Sequence, residues 1–139
     1  MKYRKYGDTY LVRIDRGEEI VEQVRALALA EGIRLASVQA LGAVSEFTVG
    51  VFKPRERAYQ ANDFQGVYEI ASLTGTIDTL EGQFYSHLHM CAADQEGRAF
   101  GGHLNRAVVS AVCEMVVREL PGTADRSFDE GVGLNLFRF

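Results

Sequence analysis

Only one stretch of this chain commits to a helix, and its other apolar runs mostly alternate. Glu18 to Glu31 (EEIVEQVRALALAE) carries Ile20, Val21, Val24, Leu27 and Ala28 in an i, i+3, i+4, i+7, i+8 pattern, the stripe of an amphipathic helix. Glu18 and Glu19 are expected in its first turn, where negative charge suits the dipole, and Gly32 is expected to stop it. The rest has strand character. Tyr10 to Asp15 alternates, and Arg16-Gly17 turns the chain. Ile33 to Val44 and Glu46 to Phe52 read as two strands, with a kink or bulge near a glycine, Gly42 or Gly50. Lys53 to Phe64 is polar and holds a proline, so it reads as a loop. Val67 to Ile77 and Gln83 to Ala93 read as strands joined by a turn over Thr79 to Gly82. Arg98 to Phe100 starts a short strand after the turn Asp94 to Gly97. Asn105 to Leu120 is long enough for a helix, but its Val-rich alternation favours a strand. Pro121-Gly122 ends it, a polar loop runs to Glu130, and Leu134 to Phe139 alternates as a last strand. The expected fold class is α+β, a single compact domain over residues 1–139 with a largely antiparallel β-sheet and one main amphipathic helix.

Composition agrees with that class. At 47% hydrophobic and 24% charged, the chain can build a core and is not expected to be disordered. No apolar run approaches the ~20 residues a helix needs to cross a membrane, so no membrane partner is expected. No apolar signal-peptide core follows MKYRKYGDTYL, and a cytoplasmic location is expected. The net charge of −4 argues against a purely electrostatic nucleic-acid binder, and direct nucleic-acid binding is not expected. Lys2, Arg4 and Lys5 read as a solvated N-terminal end. Cys91 and Cys113 make no disulfide framework, and both are expected to be reduced.

The chemistry-bearing residues are its three histidines, His87, His89 and His103, all within 17 positions. His87 and His89, at i and i+2, share one face of a strand about 6.5–7 Å apart, close enough for both imidazoles to meet one ion. A hairpin through Arg98 to Phe100 can return His103 beside them. Three imidazoles suit zinc, and also copper, iron or nickel. Three protein ligands leave a fourth position for water or substrate, unless a neighbouring subunit fills it. At such a site a bound water is acidified to a pKa near ~7, or a substrate carbonyl is polarised. Cys91 shares the face but lies about 13 Å along the strand from His87, too far for the same ion, and reads as core or pocket wall. Gly101 and Gly102 before His103 fit either a bulge or a close approach of another chain or ligand.

Glu69 and Glu114 each interrupt an apolar strand. A carboxylate there needs a partner or a raised pKa, and either would suit a general acid or base in a metal pocket; an outward face or a salt bridge is the ordinary alternative. Tyr85 shares the face of His87 as a weaker pocket candidate, and Cys113 reads as buried. No phosphate loop or activated nucleophile is found, and Gly131-Val132-Gly133 fits no nucleotide-binding pattern.

An ordered set of motifs resembles one family, the plants and prokaryotes conserved (PPC) domain, prokaryotic stand-alone type. It comprises Gly66 to Ile77 (GVYEIASLTGTI), His87-Leu88-His89, Gly101-Gly102-His103-Leu104 and Cys113 to Val117, with the early helix and Ala40 to Val44 before them. The resemblance covers nearly the whole chain. It implies an α+β domain on an antiparallel sheet, a homotrimer, and a metal held by His87, His89 and His103. In plant members the domain follows AT-hooks and contacts transcription factors through Gly-Arg-Phe-Glu-Ile-Leu. Here Val67 stands where that motif has arginine and Ala71 where it has leucine, among other differences, and no Arg-Gly-Arg-Pro hook is present. The histidines are also distantly similar to the zinc site of acetolactate decarboxylase. The resulting expectation is a small cytoplasmic homotrimer that binds zinc or another transition metal through three histidines and has a small-molecule ligand there. Whether it is an enzyme stays open; Glu69 or Glu114 would carry the proton. The alternative is a non-catalytic oligomeric protein-interaction or transcription-related DNA-binding module.

Overall fold

The four longest strands close a ring in the computed structural model, which describes residues 1–139 throughout. The element order is β1 (Lys2–Tyr6), β2 (Thr9–Asp15), α1 (Ile20–Glu31), β3 (Ala36–Lys53), β4 (Ala58–Leu80), β5 (Gln83–Ala93), β6 (Ala99–Glu119), β7 (Asp125–Asp129) and β8 (Leu134–Arg138). β3 and β5 each pair with both β4 and β6, all antiparallel, which closes the ring. β2 and then β1 extend the sheet from β6. At the other end β7 runs parallel to the end of β4, and β8 turns back on β7. The α+β class with one helix is as expected.

The helix starts two residues later than its sequence pattern suggests. Glu19 is its N-cap, accepting from the backbone N–H of Val21 and Glu22 at 3.1 and 2.7 Å. Glu18 stays outside, accepts from the Asp15 N–H at 2.8 Å, and pairs with the N-terminal amine. Gly32, in the left-handed conformation at φ 66°, ends the helix. Ile20, Val24, Leu27 and Ala28 are buried, on a helix packed against β5 and β6. No helix is long and apolar enough to cross a membrane.

The sheet corrects several boundaries. Ile33 to Phe52 is not two strands: β3 is continuous from Ala36, and its register slips between Ala40 and Gly42 and between Val44 and Glu46. Buried positions therefore change parity, from Ala36, Val38 and Val44 to Phe47 and Val49. A strict period of two is lost, and the run looks interrupted. The expected loop Lys53 to Phe64 shrinks to a turn, because β4 already starts at Ala58. Residues 58–63 are exposed, so this arm carries no apolar alternation to betray it. Likewise β7 lies inside the expected polar loop before Glu130, and the basic N-terminal end is strand β1. Arg98 to Phe100 and Asn105 to Leu120 merge into β6, whose strand character is as read.

The two terminal strands are tied down by a buried ion pair. Arg126 of β7 donates from Nε and Nη2 to the two carboxylate oxygens of Asp78 at 2.7 and 3.0 Å. Its Nη1 reaches the Asn135 carbonyl at 3.1 Å, and its guanidinium lies 3.9 Å over the Phe137 ring. Asp78 is 0% and Arg126 5% exposed. Cutting one partner from a buried, bidentate pair leaves the other charge stranded, a loss of about 3–5 kcal/mol. We therefore expect Arg126→Met to lower the urea unfolding free energy by about that amount, and the double variant with Asp78→Leu to recover part of the loss.

Candidate metal centre

Two tight turns set the strand register that brings the histidines together. Glu81 and Gly82 both have positive φ, 53° and 74°, the two-residue turn that matches strand twist. It pairs Leu80 with Gln83 and so sets Thr76 opposite His87 and Thr74 opposite His89. In the next turn the Asp94 N–H donates to the Arg98 carbonyl at 3.0 Å, and Asp94 Oδ1 accepts from the Glu96 and Arg98 N–H groups. That turn pairs Ala93 with Ala99 and places His89 directly opposite His103. On its other side His103 faces Gly50 of β3.

Close backbone approach holds this register. A Cβ on Gly75 would lie 2.0 Å from the His87 carbonyl oxygen, and one on Gly102 would lie 2.5 Å from the Gly50 carbonyl oxygen. Of the two readings of Gly101-Gly102, close approach is therefore what the structure uses, and the approaching chains are its own β5 and β3. Gly50 in turn leaves room for Tyr59: a Cβ there would sit 2.3 Å from the tyrosine oxygen.

The result is a convergent trio. The ring centroids of His87, His89 and His103 are 5.1, 5.1 and 5.7 Å apart, and one nitrogen of each lies within 4.8 Å of the others. Nitrogens bound to one tetrahedral zinc at ~2.0–2.1 Å sit about 3.3 Å apart, so small ring rotations bring the set onto an ion. No ring nitrogen is spent on a hydrogen bond to a protein side chain or backbone. Burial lowers the pKa of His87, with further lowering by Arg126 and His89 and an opposing effect of Asp78. Burial likewise lowers His103, reinforced by the other two histidines. Both shifts favour the neutral ring, which is the ligating form. This donor set fits a borderline transition metal; Asp and Glu contribute nothing to it.

The trio opens into a cavity of about 600 Å³. Tyr85 lines it, as expected for a residue sharing the face of His87. Two other lining residues, Tyr59 and Arg126, gave no sequence signal. Tyr59, from the supposed loop, donates to Asn105 Oδ1 at 2.6 Å and stands edge-on to His103. Arg126 comes from the segment read as a polar loop. Glu69 and Glu114 do not join the site. Both are exposed; Glu114 lies eleven residues along β6 from His103, roughly 35 Å of strand, and lines a cleft under β1. Glu69 lies five residues from Thr74, which faces His89, roughly 16 Å away. Outward-facing carboxylates on a strand need no partner, and these follow that rule. Cys91 is half-buried but belongs neither to the core nor to the cavity wall, a correction to its expected place. Cys113 is buried as read, and burial pushes its thiol up to about 12.

A family model described as the Plants and Prokaryotes Conserved (PCC) domain matches residues 1–121. Solved structures are similar over almost the whole chain. A protein from Bacteroides thetaiotaomicron, named as a suspected DNA-binding protein, is 33% identical with a TM-score of 0.96, over 99% of this chain and 96% of that one. A metal-containing protein from Archaeoglobus fulgidus is 31% identical with a TM-score of 0.90, over 100% of both. A plant- and prokaryote-conserved (PPC) protein from Pyrococcus horikoshii is 30% identical with a TM-score of 0.89, over 99% and 95%. The likeness to acetolactate decarboxylase from Bacillus subtilis, 14% identical with a TM-score of 0.58 over 88% of this chain and 57% of the enzyme, is one of fold alone. No curated protein matches the chain.

The depressed histidine pKa values give the metal-free protein a signed pH dependence. As pH falls below the ordinary imidazole value of 6.5, the unfolded chain takes up protons that the folded chain resists. Stability present above that pH is then lost as pH falls through the folded values. We expect the urea midpoint to drop between about pH 7.5 and about pH 5.5, above the carboxylate range. A His87→Gln, His103→Gln variant is expected to drop less.

Proposed function

The chain belongs to the Plants and Prokaryotes Conserved (PCC) domain family, and from that premise we propose that it is a homotrimer that presents one transition metal, zinc first, to a small-molecule cavity. The observation that carries this reading is the convergence of His87, His89 and His103 within 4.8 Å in the lining of the cavity. The name of the metal-containing Archaeoglobus relative supports it. A bound metal here supplies Lewis acidity to a carbonyl or a water. The chain's own residues do the rest. The three imidazoles would hold the ion, and all three line the cavity. Tyr59 steadies Asn105 beside His103. The two cysteines are free, which suits a reducing compartment, and we place the protein in the cytoplasm.

The trimer rests on an apolar surface away from the histidines. Leu11, Leu41 and Val116 are 50, 58 and 40% exposed and line one cleft with Tyr3 and Tyr6. Further copies of the chain are the occupants this reading assigns to that surface. A second reading, a non-catalytic interaction or transcription-related module, draws on the exposed Val67 and Glu69 of β4 and on the name of the Bacteroides relative. It ranks second because the chain carries a net charge of −4.

Elemental mass spectrometry of untagged protein is expected to find about one metal per chain, and His103→Ala to lose it. Metal-free protein that stays empty after incubation with zinc overturns the reading. Light scattering on Leu41→Asp is expected to show a monomer with an unchanged circular dichroism spectrum, where the parent is a trimer.

A further inference from the structure

We propose that the cavity over the histidines takes a small oxyacid with an apolar body, its anionic oxygens at the histidine end and its hydrocarbon part between two hairpins. This rests on the metal reading above and adds the chemical class of the ligand.

Three observations carry it. The first is the shape of the cavity. Its volume of about 600 Å³ falls in the range of small-molecule sites, roughly 300–1,000 Å³. Two hairpins wall it, the β3–β4 arm and the β7–β8 arm. Their tips meet: Arg57 Nη2 donates to the Glu130 carbonyl at 2.9 Å, and a Cβ on Gly133 would stand 3.3 Å from the Phe52 ring.

The second is polarity. The histidine side is polar, with the three imidazoles and Asn105, while the hairpins contribute Val51, Phe52, Leu134 and Leu136 beside the polar Tyr59, Asn135 and Arg126. Leu134 and Leu136 are 39% and 38% exposed, and Val51 is 55% exposed, so apolar surface on both hairpins is open to a ligand. The Asn105 side-chain oxygen is taken by Tyr59, which leaves its amide N–H groups without a protein partner beside the trio. They are donors, and they suit an oxygen-rich head.

The third is charge. No Asp or Glu lines the cavity, and Arg126, its one cation, is already neutralised by Asp78. A divalent ion on three neutral imidazoles therefore keeps its full positive charge. An anionic ligand supplies what the protein does not.

The test uses full-length protein loaded with cobalt(II), whose visible spectrum reports ligand binding, and two hydroxamates as probes. Acetohydroxamate has the anionic chelating head alone, and octanohydroxamate adds a hydrocarbon chain. Both are expected to shift the cobalt bands, the longer one binding at least about tenfold more tightly, since each buried methylene adds to affinity. Octylamine, the same body with a cationic head, is expected not to compete. Leu134→Asn with Leu136→Asn is expected to bring octanohydroxamate down towards the affinity of acetohydroxamate, and Val51→Asn on the opposite hairpin gives the same test if the first variant does not fold. Equal affinities for the two probes, or a full chain-length preference in the folded variants, overturn the proposal while leaving the metal reading intact. No spectral shift with either probe overturns the proposal as well. Failure of the protein to take up cobalt at all overturns the metal reading, and this inference with it.

Discussion

β5 and β6 meet at His89 and His103, and that contact closes the ring of strands on which the rest depends. A β-sheet residue can face only one of two sides, so a ring closed in this register puts three imidazoles on one surface without further adjustment. The register is held where side chains are missing. Gly75 lets the β5 backbone press on β4 behind His87, and Gly102 lets β6 press on β3 behind His103. A methyl group at either place collides with backbone, not with a flexible side chain. The site is therefore a property of backbone packing first and of its ligands second.

The buried Arg126–Asp78 pair links stability to the site. It joins β7 to β4, and the Arg126–Asn135 contact draws β8 in as well. The hairpin it anchors lies beyond the residues matched by the family model, yet it forms one wall of the histidine cavity. The pair also keeps a guanidinium close enough to His87 to help hold that ring neutral. One ion pair thus ties down the C-terminal arm, shapes the cavity and favours the ligating form of a histidine, while adding no net charge of its own.

How much of this was legible follows from which residues touch water on both faces. α1, β2, β5 and the C-terminal part of β6 each set a buried face against an exposed one, and their periodicity is readable. β3 is not readable as one strand, because its bulges move the buried residues from even to odd positions between Val44 and Phe47. The start of β4 and the whole of β7 are missed because they lie in arms whose exposed residues carry no apolar alternation. Tyr59 and Arg126 sit in those two arms, so two of the residues that line the site went with them. Glu69 and Glu114 mislead for the opposite reason: a carboxylate between apolar neighbours on a strand looks buried in one dimension, while the pleat turns it outward.

The sequence by itself determined the α+β class, the single helix and the three histidines as one candidate cluster, since spacing at i and i+2 and one following turn are local facts. Only the tertiary structure decided what surrounds them. The pairing of two hairpin tips, the buried ion pair and the exclusion of the carboxylates join residues separated by tens of positions. Strand order and register in a closed ring are set by contacts across the whole chain, and those leave no local period to read.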